Sequence, residues 1–412
     1  MNSSSGSSSL SDNEDDITNY LVNDAKAIDE EIQGAIVTHI HTRNMMMHTY
    51  INQQLNEGTR RGSIPGHVVI RRDREIADRN LFNDYFSENP RFHEGLFRRR
   101  FRMSRNLFLH IIDAVKNHDS YFIQQSDGLG RLGLSTNQKT TTAIRLLAYA
   151  LPADAVDEYI KIGESTAIKC LQHFCRAVVE VFANQYLRSP NANDVARLLH
   201  IGKQRGFPRM LGSLDCMHWK WKKCSTAWAG QYTGRSGSPT IILEAVADYD
   251  LWIWHTYFGM SGSNNDIKVL EASTLFTNLA QGIAPSAHYT ICGKEYHTGY
   301  YLADGIYPKW ATILQTIRDS LGPKKKYFAM KQESCGKDVE RAFGVLQSRF
   351  AIVAAPARSW RKNDLHYIMK ACIITHNMII EDERVLSAPI QDAMEAPVPK
   401  VEMMVNDENT RF

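Results

Sequence analysis

Four acidic residues that lie far apart along the chain have the types and settings of a site that binds a cation or transfers protons. They are Asp215 in GSLDCMHWKW, Asp266 in SGSNNDIKVL, Asp304 in YYLADGIYP and Glu340 in KDVERAFGVLQSRF. Each lies at a junction of predicted elements and not within a solvated run of charge. Carboxylates that converge from distant points commonly hold Mg²⁺ or Mn²⁺, or act as acid and base. The pattern favours a divalent metal site.

Two of these residues are associated with predicted strands. Asp215 lies within a strongly β-patterned run, where an isolated buried carboxylate costs several kcal/mol or more unless it is paired or bound to metal. Asp304 ends the strand YYLAD, and ligands of open α/β sheets bind outside strand ends. The alternatives are a salt bridge for Asp215 and a simple turn residue for Asp304, since Asp-Gly is a common turn pair.

The other two acidic residues are associated with predicted helices. Glu340 borders an apolar stripe, and Gly344 lies one turn further along the same flank, where glycine weakens a helix unless something must come close. A surface ion pair is the alternative role for Glu340. Asp266 lies at a predicted helix start, so capping is an alternative for it. The stripe consists of Val339, Phe343, Leu346 and Phe350.

The elements that must position these carboxylates predict an α/β fold for the second half of the chain. RMLGSLDCMHWKWKK is strand-like, and PTIILEAVADYD with LWIWHTYFGM predicts a hairpin. AHYTICGKEY and GYYLADGIYP are further strand candidates, while KDVERAFGVLQSRF and LHYIMKACIITHNMIIEDE predict helices. The latter is apolar over most of its surface, so we expect it to be buried.

Changes in composition divide the chain into four parts. Residues 1–59 are polar and predicted to be disordered, because they offer little apolar surface to offset the entropy of ordering. Residues 60–205 form a basic helical region. Residues 206–385 form the α/β domain that carries the four acidic residues. Residues 386–412 are a polar tail with prolines.

A run of arginines in the helical region predicts contacts with nucleic acid. Between Arg91 and Arg105 there are six arginines and one glutamate, interleaved with phenylalanines. Such a surface suits phosphate groups. The alternative is a solvated helix face whose phenylalanines pack inward. The predicted DNA contacts are Arg98, Arg99, Arg100, Arg102 and Arg105.

Residues 135–187 predict three helices with a helix-turn-helix outline. DAVDEYIKI is a short helix, Gly163 interrupts it, and a longer helix follows. Ser165, Thr166 and Lys169 would lie on the first turn of the recognition helix, where base edges are read. A plain helical bundle is the alternative. Cys170 and Cys175 on the longer helix fit core packing better than metal binding.

Composition sets limits without indicating a partner. The apolar fraction of 43% and the aromatic fraction of 10% are typical of a globular protein, and the formal net charge is only +3. No apolar run is long enough to cross a bilayer, and the first residues lack the pattern of a signal peptide. Seven cysteines without a dense framework fit a reducing compartment. We therefore expect a cytosolic or nuclear protein.

Long segments of the chain resemble the PIF/Harbinger transposases of plants and their domesticated relatives. The resemblance covers residues 60 to 385 and includes GSLDCMHWKW, GYYLADGIYPKW, KDVERAFGVLQSRFAIV and ACIITHNMIIEDE. It implies an RNase H-like domain with a D-D-E metal site that acts on DNA through Mg²⁺ or Mn²⁺. The predicted fold class is therefore an α/β, RNase H-like domain preceded by the all-α helix-turn-helix-like region described above. The family motifs match Asp215, Asp304 and Glu340, and the N-x-D loop matches Asp266.

Two functions follow as hypotheses from the residues and the resemblance. The first is a metal-dependent DNA endonuclease or transposase with Asp215, Asp304 and Glu340 as catalytic residues. The second is a domesticated regulator that keeps the fold and does not cleave DNA. The resemblance implies double-stranded DNA and a Myb-like DNA-binding protein as partners, and the nucleus, with the cytoplasm as alternative. A homo-oligomer is left open.

Overall fold

The computed structural model describes residues 70, 72–275, 277, 286–291, 294–317 and 321–384. The predicted polar region 1–59 and the predicted tail 386–412 lie outside these residues. No helix among the described residues is long and apolar enough to cross a membrane.

Seven helices form the part of the described chain that precedes the sheet, and side-chain caps fix where several of them begin. The Ser135 hydroxyl accepts a hydrogen bond from the Gln138 N–H while the Gln138 side chain accepts from the Ser135 N–H, and Asn191 and Asp194 form the same capping box. The helices are α1 Arg74–Tyr85, α2 Glu94–Phe101, α3 Arg105–His118, α4 Thr136–Tyr149, α5 Asp157–Ile160, α6 Glu164–Tyr186 and α7 Ala192–Gln204.

A five-stranded mixed sheet follows, in the order β3-β2-β1-β6-β7. β1 and β2 are antiparallel, as are β2 and β3, whereas β6 and β7 run parallel to β1. The predicted hairpin is confirmed as β2 and β3. The strands are β1 Met210–Lys220, β2 Thr240–Ala247, β3 Ile253–Ser261, β6 Tyr300–Ala303 and β7 Ile313–Gln315, and β4 Ser286–Ile291 pairs with β5 Lys294–Thr298 in a separate sheet.

Among the described residues of this half, five helices with defined bounds accompany the strands. The predicted helices around Glu340 and His376 are both confirmed, and the first extends further towards the N-terminus than its motif. The mixed α/β architecture is that predicted for this region. The helices are α8 Thr226–Tyr232, α9 Asp266–Ala272, α10 Pro323–Arg349, α11 Ala351–Ala354 and α12 Lys362–Glu383.

Helix α12 lies between the first seven helices and the sheet. The Asn377 side chain accepts from the N–H of Ile253 on β3 (3.0 Å) and donates to the carbonyl of Tyr186 at the end of α6 (2.7 Å). The His376 Nε2 bonds the carbonyl of Leu251 (2.9 Å). One continuous apolar core therefore extends from the α2 residue Phe97 through α12 into the sheet.

Candidate active site

Asp215 and Asp304 are brought together by the pairing of β1 with β6. Leu214 and Ala303 are partners in the parallel ladder, and the two acidic residues follow them directly. β6 ends at Ala303, and the carbonyl of Asp304 accepts from the N–H of Tyr307 (3.2 Å) to form a turn. Asp304 thus begins the predicted turn and leaves its carboxylate exposed at a strand end.

Glu340 is held against the same strand by its neighbours on α10. The buried N–H of Val339 donates to the hydroxyl of Ser213 on β1 (2.9 Å). On the other side of this bond, Asp338 is completely buried and paired with Arg205, which ties α10 to the end of α7. Glu340 therefore lies beside β1, next to the position of Ser213. Asp215 follows Ser213 by two residues on the same strand.

The surface of α10 around Glu340 is exposed and open. The predicted stripe of Val339, Phe343, Leu346 and Phe350 is confirmed as buried. The alternative of a surface ion pair is not supported, because Lys337 pairs with Glu333 instead (3.3 Å). A Cβ added at Gly336 or Gly344, four residues before and after Glu340, would meet no atom within 4 Å. No described backbone approaches Gly344 closely.

Asp266 is not the cap of α9. The residue before it, Asn265, occupies the N-cap position, and its side chain accepts from the N–H of Lys268 (3.0 Å). The capping alternative is therefore wrong. Asp266 instead lies near β1, where burial raises its pKa and the neighbouring thiol of Cys216 opposes this shift by favouring the ionised form.

The four carboxylates influence one another electrostatically. Burial raises the pKa of Asp215 to about 7, and repulsion from Asp304, Asp266 and Glu340 adds to the effect, while a hydrogen bond from the Cys216 backbone opposes it. Burial also raises the pKa of Asp266, and Asp304 contributes through repulsion. Asp215 forms no ion pair with a basic side chain of the described residues, so the salt-bridge alternative is not supported.

The chemistry of this donor set suits a hard cation. All four donors are carboxylates, which Mg²⁺ and Mn²⁺ prefer. Asp215 and Asp266 are half-buried, whereas Asp304 and Glu340 are exposed, so the group is open to a large substrate. In the described part of the chain, however, no three His, Cys, Asp or Glu side chains are arranged closely enough to hold a metal ion.

Sequence reasoning missed the residues that support these carboxylates. Cys216 and Tyr307 approach each other (Sγ to hydroxyl, 3.6 Å) beside Asp266, and burial raises the pKa of both. The sequence did contain one signal for these residues, the alternation of side chains along β1. Because Ser213 and Cys216 are three residues apart, their side chains must point to opposite faces of the strand. The contact of Ser213 with α10 depends on a residue 126 positions away and has no local signature.

Most of the arginines predicted to contact DNA are engaged within the fold. Arg98 pairs with Glu383, and Arg105 lies near Glu94 (3.9 Å). The Arg100 guanidinium lies over the ring of Phe92 (4.1 Å) and that of Arg102 over Tyr149 (5.0 Å). Among the five, Arg99 is exposed without such a contact to the described residues. The phenylalanines Phe97, Phe101 and Phe108 are fully buried.

The helix-turn-helix outline is present only in part. α5 has four residues, a single turn, and Lys161 with a positive φ of 60° leads into α6. Ser165 and Lys169 are exposed near the start of α6, and Thr166 is half-buried. The predicted role of these residues in reading DNA stays a prediction. Cys170 and Cys175 are buried, which confirms core packing.

Comparisons with known proteins agree with the motifs. Residues 184–387 match a family model described as a plant transposon protein, and residues 78–116 match a domain of unknown function. The chain is 23% identical over 302 residues to Protein ALP1-like of Arabidopsis thaliana, which covers 72% of each chain. No solved structure matches. The second half of the chain is therefore similar to plant transposon proteins, and most of its length is similar to an ALP1-like protein.

Proposed function

We propose that this chain is a metal-dependent DNA endonuclease of the D-D-E type on an RNase H-like domain. The observation that carries the proposal is geometric: four acidic residues, Asp215, Asp266, Asp304 and Glu340, converge on β1 through the β1–β6 ladder, α9 and the hydrogen bond that holds α10 to β1. These residues come from two neighbouring parallel strands and two helices, spread over more than 120 residues of sequence. Burial of Asp215, with repulsion from its acidic neighbours, disfavours its ionised form unless a cation offsets the charge.

In this proposal Mg²⁺ or Mn²⁺ would be held by Asp215, Asp304 and Glu340, together with Asp266. Bound divalent ions supply a Lewis acid and lower the pKa of a bound water during displacement at phosphorus. The protein's own contribution is to hold the carboxylates. The parallel ladder fixes Asp215 beside Asp304, and the bond from Val339 to Ser213 fixes the turn of α10 that carries Glu340.

The open surface of α10 fits a polymer substrate. The missing side chains at Gly336 and Gly344 leave space on both sides of Glu340. A phosphodiester backbone needs such clearance, whereas a small-molecule enzyme encloses its ligand. The same proposal includes contacts of Arg99, Ser165 and Lys169 with DNA. It also includes a nuclear location and a Myb-like protein as partner.

Nicking of supercoiled plasmid in Mn²⁺ tests the proposal. We expect Asp215→Asn and Glu340→Gln each to lower the rate by at least about a hundredfold, since loss of one charge-stabilising group typically costs that much. Glu333→Gln is the matched control, because Glu333 is an exposed acidic residue on the same helix. Equal rates for all three variants and the unmodified protein would overturn the site.

The same assay with added nuclear extract tests the need for a partner. Activity that appears only with extract, and only with intact Asp215, would assign DNA delivery to a second protein. Activity from extract alone is subtracted by using the Asp215→Asn protein as the blank.

A non-cleaving regulator is the second candidate. It is favoured by the absence, among the described residues, of three side chains close enough to hold an ion. A ligand at a hundred times its Kd stabilises a fold by about 2.7 kcal/mol. A Mn²⁺-dependent rise in melting temperature that vanishes in Asp215→Asn therefore supports the nuclease, and no rise in either protein supports the regulator.

A further inference from the structure

A second basic surface lies where the end of β1 meets the segment that precedes α12. The N–H of Lys222 donates to the carbonyl of Ala357 (3.0 Å), and the N–H of Ala357 donates to the carbonyl of Lys220 (2.8 Å). The indole N–H of the buried Trp221 donates to the carbonyl of Ser359 (2.9 Å). Two distant segments are thus fixed side by side.

Six cationic side chains extend from these segments and all are exposed. None forms an ion pair with another residue that the structure describes, in contrast to Arg98 and Arg105 of the predicted arginine run. Unpaired exposed cations keep their full attraction for phosphate, because no internal carboxylate must be released first. They are Lys220, Lys222, Lys223, Arg358, Arg361 and Lys362.

Two tryptophans complete what we call the tryptophan–lysine surface, which consists of these six cations with Trp228 and Trp360. The side chains of Trp228 and Trp360 are 42% and 64% exposed. The Lys362 ammonium lies 4.2 Å from the Trp228 ring centre, and that of Lys223 lies 5.9 Å from the Trp360 ring centre. Exposed indoles beside cations are the arrangement on which the unpaired bases of a single strand stack while its phosphates are neutralised.

We propose that the tryptophan–lysine surface binds the DNA that flanks the scissile phosphate, an inference that rests on the proposed nuclease function. Lys220 is on the same strand as Asp215, five residues further on. At the rise of a β-strand this is about 16 Å, which corresponds to about five nucleotides of one DNA strand. The side chains of Asp215 and Lys220 leave opposite faces of β1, because they are an odd number of residues apart, and the surface begins where the strand ends. A duplex with a phosphate at the carboxylates would therefore reach it past this end of the strand.

The decisive measurement is DNA binding without cleavage. Full-length protein carrying Asp215→Asn is titrated with a labelled DNA duplex of about thirty base pairs at several salt concentrations. Adding Lys222→Glu/Lys223→Glu is expected to weaken binding at least tenfold and to lower the salt slope by about 1.8, since each phosphate contact contributes about 0.9. Lys324→Glu/Lys325→Glu is the matched control: it changes the net charge by the same amount, at exposed lysines at the start of α10.

The indole contribution is measured separately. For Trp360→Ala the probe is the same duplex with an unpaired single-stranded overhang, because paired bases cannot stack on an indole. The substitution is expected to weaken binding by about tenfold without changing the salt slope, since stacking contributes about 1–3 kcal/mol per base and releases no counterions. The lysine and tryptophan side chains that are substituted are all exposed, and melting temperatures unchanged from the Asp215→Asn parent would exclude unfolding.

Three outcomes would overturn the proposal. One is equal affinity and salt slope for Lys222→Glu/Lys223→Glu and its parent, and another is an equal loss in the Lys324→Glu/Lys325→Glu control. The third is tighter binding of the protein to a polyglutamate peptide than to the duplex, which would indicate that the surface binds an acidic protein. Plasmid nicking is measured independently, so failure of the nuclease and failure of this surface are distinguishable.

Discussion

Asp215 shows how one residue combines burial with repulsion. Its carboxyl is half-buried on β1, and its pKa is raised to about 7 by burial first and by three neighbouring carboxylates second. In the unfolded chain the ordinary pKa is near 3.8. Stability from this group is therefore fully present below the unfolded pKa and is lost as pH rises towards the folded pKa.

Asp215→Asn is accordingly expected to stabilise the metal-free protein at pH 8 by up to about 4 kcal/mol, and to have little effect near pH 4. The measurement is urea denaturation with a chelator present at both pH values. Asp113→Asn, at an exposed position on α3, is the control. A stability difference that is the same at both pH values would contradict the coupling.

For single residues, the sequence predicts where the acidic side chains lie along the strands and helices, but it does not predict which cationic side chains are paired. Asp215, Asp304 and Glu340 could be predicted because strand ends and an apolar stripe are local patterns. The pairing of Arg98 with Glu383 could not, because the partner is 285 residues away. For the same reason the unpaired cations near Lys222 gave no signal: their adjacency depends on the bridge to Ala357.

At the scale of elements, α12 shows what burial of polar side chains requires. The prediction that His376 and Asn377 are a satisfied core pair is confirmed, since both bond backbone groups of neighbouring elements. Burial lowers the pKa of His376 to about 3, and the nearby Arg349 guanidinium adds to the effect. The imidazole is therefore neutral in the folded protein.

The folded pKa of His376 lies below that of the unfolded chain, so its contribution is present above pH 6.5 and is lost as pH falls towards 3. Protonation of this histidine in the unfolded chain should lower the free energy of unfolding by about 2 kcal/mol between pH 7.5 and pH 5. Urea denaturation of His376→Gln should lack this component. His200→Gln, on the exposed surface of α7, should retain it; identical pH profiles of His376→Gln and the unmodified protein would refute the assignment.

At the scale of the whole molecule, the described helices and sheet share one apolar core through α12. The predicted boundary near residue 205 follows a change in local pattern, and local patterns carry no information on whether two regions share a core. All seven tryptophans follow that boundary, between Trp219 and Trp360. Their fluorescence therefore reports only on the second region.

We expect the fluorescence and far-ultraviolet circular dichroism of the unmodified protein to change at the same urea concentration, as in a two-state transition. Separate midpoints, with ellipticity lost before or after fluorescence, would instead show that residues 60–205 and 206–385 unfold as independent domains.

The central position of α12 also affects synthesis. This helix supplies the apolar surface between α6 and β3, yet it is translated after every other described element. While the ribosome moves along the message, the earlier helices and strands lack the segment against which both pack. The core is therefore completed only after α12 has been synthesised, and a chain that stops before residue 362 lacks the helix against which α6 and β3 pack.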